Sequence, residues 1–484
     1  MKRETSTKNG RVLGHPGMNR RITVFKGIPF AKAPVGDLRW KAPQPAENWE
    51  GVRVCNTFGP ISMQHTPGEG DPEDLYNKEW HVDSAVPMDE DCLYLNVWTP
   101  SLDPDANLPV MFWIFGGGFQ VGYTSEMEFE GERFAKRNCV FVSVNYRLNI
   151  FGFFAHPELT ESQPEAPTNF AFLDQEAGMR WVKENIRNFG GDPDNITIMG
   201  QSAGAGSVMA QLCKHKGENL FQKAILQSGG GVLPLFRHGY PDLAEQEQKG
   251  LAFLEYLGVK ARAIDACTLF DRSAAYLKEQ NAWIYWQPTL DGVFIKKQVH
   301  ETVLANELAE VSILSGVTQD EFLALPTEDE LALLDQEQRK KLQGKEHNLF
   351  ELSLLLWGRM NEKCQKLPMY LYYFCPPMPG DDHGVFHSSD LWFSFETLAN
   401  CWRPFTGEYY DLARMMCNYW TNFARSGNPN GKDITGLAMP EWKAYKSTNE
   451  EAVMRLDLRP GMTGESNNPL TRVLLEHYLN RYTK

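Results

Sequence analysis

The chain predicts a doubly wound α/β sheet, and three observations predict it. Near-continuous apolar runs recur as buried parallel strands would, and stretches of helical spacing separate them. One β-branched run also enters a Gly-x-Ser-x-Gly turn that leads straight into a helix. The resulting order is βαβαβ.

Taken in order, Arg21–Phe30 reads as a strand and then a turn. Prolines 34, 43 and 45 keep the following stretch irregular. Residues 65–88, rich in Gly, Pro and acids, read as a surface loop running into a strand near Leu93–Trp98. Val110–Phe115 and Val140–Tyr146 are two apolar strands, with a glycine loop and a helix around Gly131 to Arg137 between them. A helix around Asp174 to Phe189 follows, its inner face expected at Leu173, Ala177, Trp181 and Ile186. Ile196–Met199 is the strand that enters Gly200-Gln201-Ser202-Ala203-Gly204, and Val208–Leu212 has helical composition. Lys223–Ser228, Val311–Gly316 and Met369–Phe374 continue the strands. Helical stretches at about 235–287 and 325–366 read as insertions, because strands resume after each. The expected organisation is a single catalytic domain over 1–484 whose insertions wall or cap a gorge.

Bulk properties narrow the function classes. The 484 residues are 42% hydrophobic and 12% aromatic, ample for a packed core. A formal charge of −14 argues against nucleic acid, which calls for a basic footprint, and against an anionic membrane surface. Met1-Lys2-Arg3-Glu4-Thr5-Ser6 has no apolar stretch behind it, so no signal peptide is expected, and no apolar run reaches the length of a membrane span. Nine cysteines, an odd number without Cys-x-x-Cys spacing, fit reduced thiols and a cytoplasmic location. No P-loop or His-Glu-x-x-His is present, and Met209 stands where a dinucleotide fingerprint starting at Gly204 needs its third glycine. No cofactor and no metal are expected.

The chemistry centres on Ser202. A strand, a sharp turn and a helix lift its hydroxyl above the carboxyl ends of the sheet, with Gly200 and Gly204 leaving room for neighbours. A serine nucleophile needs a base, an orienting acid and an oxyanion hole. The loop Phe115-Gly116-Gly117-Gly118-Phe119 lies after an early strand, where backbone amides approach a substrate oxygen closely. Candidate bases after Ser202 are His215, His238, His300, His347, His383, His387 and His477, of which His383 and His387 share one loop. For the acid, Asp320-Glu321 directly follows a strand end, where catalytic side chains gather in open α/β sheets.

Several blocks then match one family together: Phe25–Ala31, Gly36-Asp37-Leu38-Arg39-Trp40, Glu90–Val97, Gly116–Phe119, Asn145-Tyr146-Arg147, Leu173-Asp174-Gln175, Phe189–Pro193 and Gly200–Gly204. With them the sequence resembles the type-B carboxylesterase/lipase family, the cholinesterase-like branch of the α/β-hydrolases, over about residues 25 to 430. The resemblance implies the α/β-hydrolase fold with Ser202 as nucleophile, Glu321 as acid and His387 as base. It implies oxyanion donors at Gly117, Gly118 and Ala203, and supporting positions at Ser228 and Asp390. Arg39 with Glu90, and Arg147 with Asp174, match its buried ion pairs. Three departures stand out. Phe322 replaces the glycine after the acid, which keeps Asp320 as the fallback. Gln201 replaces a Glu before the nucleophile, which weakens the case for a cationic alcohol. Ser62 replaces the usual partner of Cys92, so that disulfide is not expected.

The expected function is a serine carboxylesterase that hydrolyses esters of small apolar or aromatic compounds through an acyl-enzyme. A lipase acting on lipid esters is the alternative, and a non-catalytic cholinesterase-like binding protein is a third reading. Phe119, Trp392 and Phe393 are candidate pocket residues, with Phe395, Trp283, Tyr285 and Trp286 as further aromatics that serve either core or pocket. The expected partner is a small-molecule ester, with no nucleic acid and no membrane span.

Overall fold

The computed structural model describes residues 3–80, 82–233, 239–282, 284–342, 344–364 and 367–482. The chain divides into two compact units, each assembled from separate stretches of sequence. The first comprises Met1–Ile198, Asn219–Phe221 and His238–Gln298; the second comprises Met199–Glu218, Gln222–Arg237 and Val299–Lys484.

In the first unit, β1 (Thr23–Pro29) pairs antiparallel with β2 (Tyr94–Thr99). β3 (Leu108–Ile114) lies parallel to β4 (Val140–Val144), which closes antiparallel on β2. Every residue of β4 is buried, as a continuous apolar run requires when both faces are covered. Helix α1 spans Phe170–Asn185. Its inner face differs from the expected one: Asp174, Gly178, Trp181, Val182 and Asn185 are buried, while Leu173 and Ala177 are half-buried. Two contacts rotate it. The Arg147 guanidinium holds Asp174 inward at 2.8 and 2.7 Å, and Gly178 packs so closely that a Cβ there would sit 2.9 Å from Val144.

A second correction falls in residues 65–88. The stretch contains a short helix, Leu75–Glu79, capped by the Asp74 carboxylate, and it buries Glu79 and Trp80. The first insertion forms helices Leu243–Leu257 and Ala266–Glu279. Gly250 meets the chain so tightly that a Cβ would lie 1.9 Å from the Ala155 carbonyl oxygen. Trp286 is fully buried among Phe154, Phe253 and Tyr285, so it belongs to the core of this unit, whereas Trp283 and His238 lie outside the described residues. Arg39 grips Glu90 through two hydrogen bonds of 2.6 Å and donates to the carbonyls of Ala261 and Ile264.

Strand β5, Gly191–Gln201, carries the chain into the second unit, and α2, Ala203–Lys214, follows the turn. The strands β6 (Lys223–Gln227) and β7 (Ser312–Thr318) run parallel, helix α3 spans Leu349–Cys364, and β8 (Met369–Phe374) lies parallel to β7. Beyond helix α4 (Gly407–Ser426), β9 (Val453–Leu456) continues the parallel run and β10 (Gly461–Thr463) turns back antiparallel. Helix α5, Pro469–Tyr482, packs on α3. Gly316 sits opposite Tyr372 in the β7–β8 register, and a Cβ there would lie 2.2 Å from the tyrosine ring. A bare strand position thus makes room for one buried aromatic.

No disulfide forms among the described residues. Among the described residues no helix is long and apolar enough to cross a membrane.

Candidate active site

Ser202 follows the last residue of β5 and precedes the first of α2, with φ 55° and ψ −124°. A serine in the left-handed region is strained, and neighbours hold it there. Its N–H donates to the Gln227 carbonyl at 2.9 Å, and its own carbonyl accepts from Gly206 N–H at 2.9 Å. Gly229 packs beneath the turn so closely that a Cβ would lie 2.4 Å from the Ser202 backbone carbonyl oxygen.

His387 Nε2 lies 2.8 Å from Ser202 Oγ. The other ring nitrogen, Nδ1, is hydrogen-bonded to Glu321 Oε2. The remaining carboxylate oxygen of Glu321 accepts from Thr318 N–H at 3.1 Å. Glu321 is only 3% exposed. Burial alone pushes its carboxyl upward, but the adjacent imidazole, with hydrogen bonds from His387, Ser228 and Thr318, outweighs burial and holds it below the usual carboxylate range. Three side chains 185 and 66 positions apart thus form one hydrogen-bonded row.

The neighbouring candidates point elsewhere. Asp320 turns away from the imidazole: its carboxylate accepts from Val385 N–H at 2.7 Å and pins the loop that carries His387. His383 is exposed and its backbone N–H donates to Asp381. His215 is buried against Gln211 and Glu218, and His347 faces Glu330. His300 lies near Tyr482.

Behind the row, Tyr372 donates to Asp390 Oδ2 at 2.7 Å and Gln227 donates to the same oxygen at 3.0 Å. Asp390 is fully buried, and burial raises its carboxyl above the ordinary value. Ser228 N–H donates to the Gly316 carbonyl at 2.8 Å. Gln201 places its amide nitrogen 3.3 Å from His387 Nε2 and 2.6 Å from Ser388 Oγ. The sequence marked Gln201 only as a missing charge; its link to Ser388 depends on the loop's fold.

The aromatic candidates need correction. Phe119, Trp392, Phe393 and Phe395 are at most 1% exposed. Phe119 packs edge-on against Phe153 and Phe172 in the first unit, and Phe393 against Phe374 and Phe405 in the second. They build core clusters, because a large ring on an inward-facing position is satisfied by other rings. The rings beside His387 are Phe322, at a centroid distance of 4.6 Å, and Phe350, at 5.6 Å. Phe350 was missed, since a Phe at a helix start carries no signal of what it will face.

In the first unit, Gly117, Gly118 and Phe119 form a left-handed run with φ of 98°, 62° and 64°. Gln120 and Val121 N–H close the turn on the Gly117 carbonyl at 3.0 and 3.1 Å. A Cβ on Gly117 would lie 2.1 Å from Val121 O, so the turn needs glycine there. Ala203 N–H opens α2, where the first-turn amides have no helical partner. Among the described residues no cluster of three or more His, Cys, Asp and Glu has the arrangement of a metal site.

Residues 2–353 and 347–472 match the Carboxylesterase family. The chain is 31% identical to para-nitrobenzyl esterase from Bacillus subtilis (strain 168), covering 93% of this chain and 94% of that protein. It is 30% identical to human cocaine esterase, covering 94% of this chain and 88% of the relative. A solved PNB esterase superposes with a TM-score of 0.80 at 28% identity, covering 98% of this chain and 99% of the other.

Proposed function

The chain belongs to the carboxylesterase family and has the α/β-hydrolase fold; it is a carboxylic ester hydrolase, and on that premise we propose that it cleaves small apolar or aromatic esters by two-step acyl transfer on Ser202. The observation that carries this reading is the unbroken row of Ser202, His387 and Glu321.

Ser202 Oγ attacks the ester carbonyl while His387 Nε2 takes its proton. Glu321 fixes the ring through Nδ1 and offsets the positive charge that forms on it. A carboxylate held below its usual range stays ionised for that task. We assign oxyanion stabilisation to the backbone N–H of Ala203 at the start of α2, and keep Gly117 and Gly118 in the same role on the family resemblance. Loss of one such donor typically costs about 10²–10³ in turnover. The tetrahedral adduct collapses as Nε2 hands its proton to the leaving oxygen, and the alcohol departs. Water then attacks the acyl-serine by the same route and releases the acid.

Asp390, held by Tyr372 and Gln227, and Ser228 support the loops on which Glu321 and His387 sit. The 325–366 insertion serves as a wall, since Phe350 at the start of α3 lies against the imidazole. Ser202→Ala is expected to abolish the burst of alcohol released from an activated aryl ester in stopped-flow kinetics. A burst of unchanged amplitude would refute the assignment.

A further inference from the structure

Phe322 follows Glu321 directly, and the residue is 55% exposed although its ring lies 4.6 Å from the His387 imidazole, tilted by 38°. Phe350, 9% exposed, lies 5.6 Å from the same imidazole and 6.0 Å from Phe322. The two carbocyclic rings therefore cluster with the imidazole, and one of them belongs to a residue open to solvent.

The backbone beneath Phe322 is held on both sides. Upstream, Glu321 is anchored by His387 and by Thr318 N–H. Downstream, Leu323–Ala324 pair antiparallel with His347–Asn348. Asn348 closes the ribbon, because its amide donates to the Thr318 carbonyl at 3.1 Å and its oxygen accepts from Glu351 N–H at 3.0 Å. Phe322 packs one side on Phe350 and His387 and leaves the rest of its surface in water directly beside the polar row, the combination of aromatic wall and convergent polar groups that ligand sites use.

Position decides which part of the ester it meets. The leaving oxygen receives its proton from His387 Nε2, so it must come within hydrogen-bond reach of that nitrogen. Whatever that oxygen carries is therefore held next to the imidazole, the ring against which Phe322 and Phe350 lie. The acyl chain hangs from the carbon bonded to Ser202 Oγ, on the other side of the bond that breaks. We infer that Phe322 and Phe350 form a shelf for the alcohol portion of the substrate and favour flat, aromatic alcohols through offset or edge-on ring contact. This rests on the roles of Ser202, His387 and Glu321 proposed above.

The test varies the alcohol at a constant acyl group. Ethyl, phenyl and 1-naphthyl butyrate pass through one butyryl-enzyme, so any difference among them arises in acylation. Phe322→Ala is expected to lower kcat/KM for 1-naphthyl butyrate about tenfold, mostly through KM, while the ethyl ester changes about twofold or less. Phe322→Leu, which keeps bulk but not the ring, is expected to fall between. Lengthening the acyl chain from acetyl to hexanoyl at fixed naphthol should leave the mutant-to-wild-type ratio unchanged. Equal losses on all three alcohols, losses that track acyl length, or a defect confined to emulsified tributyrin would each overturn the shelf. Labelling of Ser202 by a fluorophosphonate in every variant checks the underlying chemistry separately. A wild-type chain that fails to label would defeat the nucleophile assignment, whatever the alcohol series shows.

Discussion

Asp320 and Glu321 are adjacent carboxylates with opposite tasks, and the difference is one of direction alone. Glu321 faces the imidazole and is held below the usual carboxylate range; Asp320 faces the chain and accepts from Val385 N–H. Because the folded-state value of Glu321 is depressed, its stabilising contribution is present above the ordinary carboxylate range. It is lost as pH falls through the lowered value. Glu321→Gln keeps the shape but removes the charge that balances the imidazolium, and turnover of a soluble ester is expected to drop about 10⁴-fold. Asp320→Asn should leave turnover within about threefold and cost on the order of 1 kcal/mol of stability, since one charge-assisted bond is weakened. Steady-state kinetics and thermal melts of the two variants check both expectations; a greater loss of turnover from Asp320→Asn would reverse the assignment.

At the scale of elements, helix α5 meets two carboxylates whose pH responses oppose each other, Glu351 of α3 through Thr471 and Glu330 of the short helix Glu328–Leu333 through Tyr478. Burial lifts Glu351 to about 7, against the partial relief of hydrogen bonds from Ser466 and Thr471 and the charge of His347. Glu330 is also partly buried, but His347 and the Thr327 N–H more than compensate and bring it to about 2. A raised carboxyl contributes stability that is complete below its unfolded value and disappears as pH rises through about 7. A lowered one contributes stability that disappears as pH falls toward about 2. Glu351→Gln removes the first effect only. Wild-type stability, followed through the melting temperature, is expected to fall relative to the variant as pH rises from about 4.5 to about 7, by on the order of 3 kcal/mol at most. Parallel melting curves across that range would show that Glu351 is not the group responsible.

At the scale of the molecule, sites far apart in sequence are tied by buried charges and not by disulfides. Arg39 joins Glu90 to the carbonyls of Ala261 and Ile264, a span of more than 220 positions that closes the first unit around its insertion. Both side chains are almost fully buried. Removing one partner strands the other charge away from water, so Glu90→Gln is expected to cost about 3–5 kcal/mol, read from chemical denaturation. A cost under about 1 kcal/mol would show that the guanidinium is satisfied by the two carbonyls alone. Ser62 illustrates the same economy on the thiol side. Its hydroxyl oxygen accepts from Leu148 N–H, and it stands beside Cys92, whose free thiol burial drives well above its ordinary value.

The strand–turn–helix around Ser202, the glycine loop at Gly117 and Gly118, and the alternation of strands and helices were legible from residue order. Their signals are local: β-branched runs, glycines at turns and periodicities within one element. The histidine was narrowed to a shared loop and the acid to an adjacent pair by the same local signals, and only the family resemblance went further. Tertiary structure decided the rest. It turned Glu321 and not Asp320 toward His387, rotated α1 so that Asp174 reaches Arg147, buried Phe119, Trp392 and Phe393 in the core, and left Phe322 and Phe350 beside the imidazole. Each of these depends on which distant side chain occupies the neighbouring volume, and close packing between remote segments leaves no trace in the periodicity of either one.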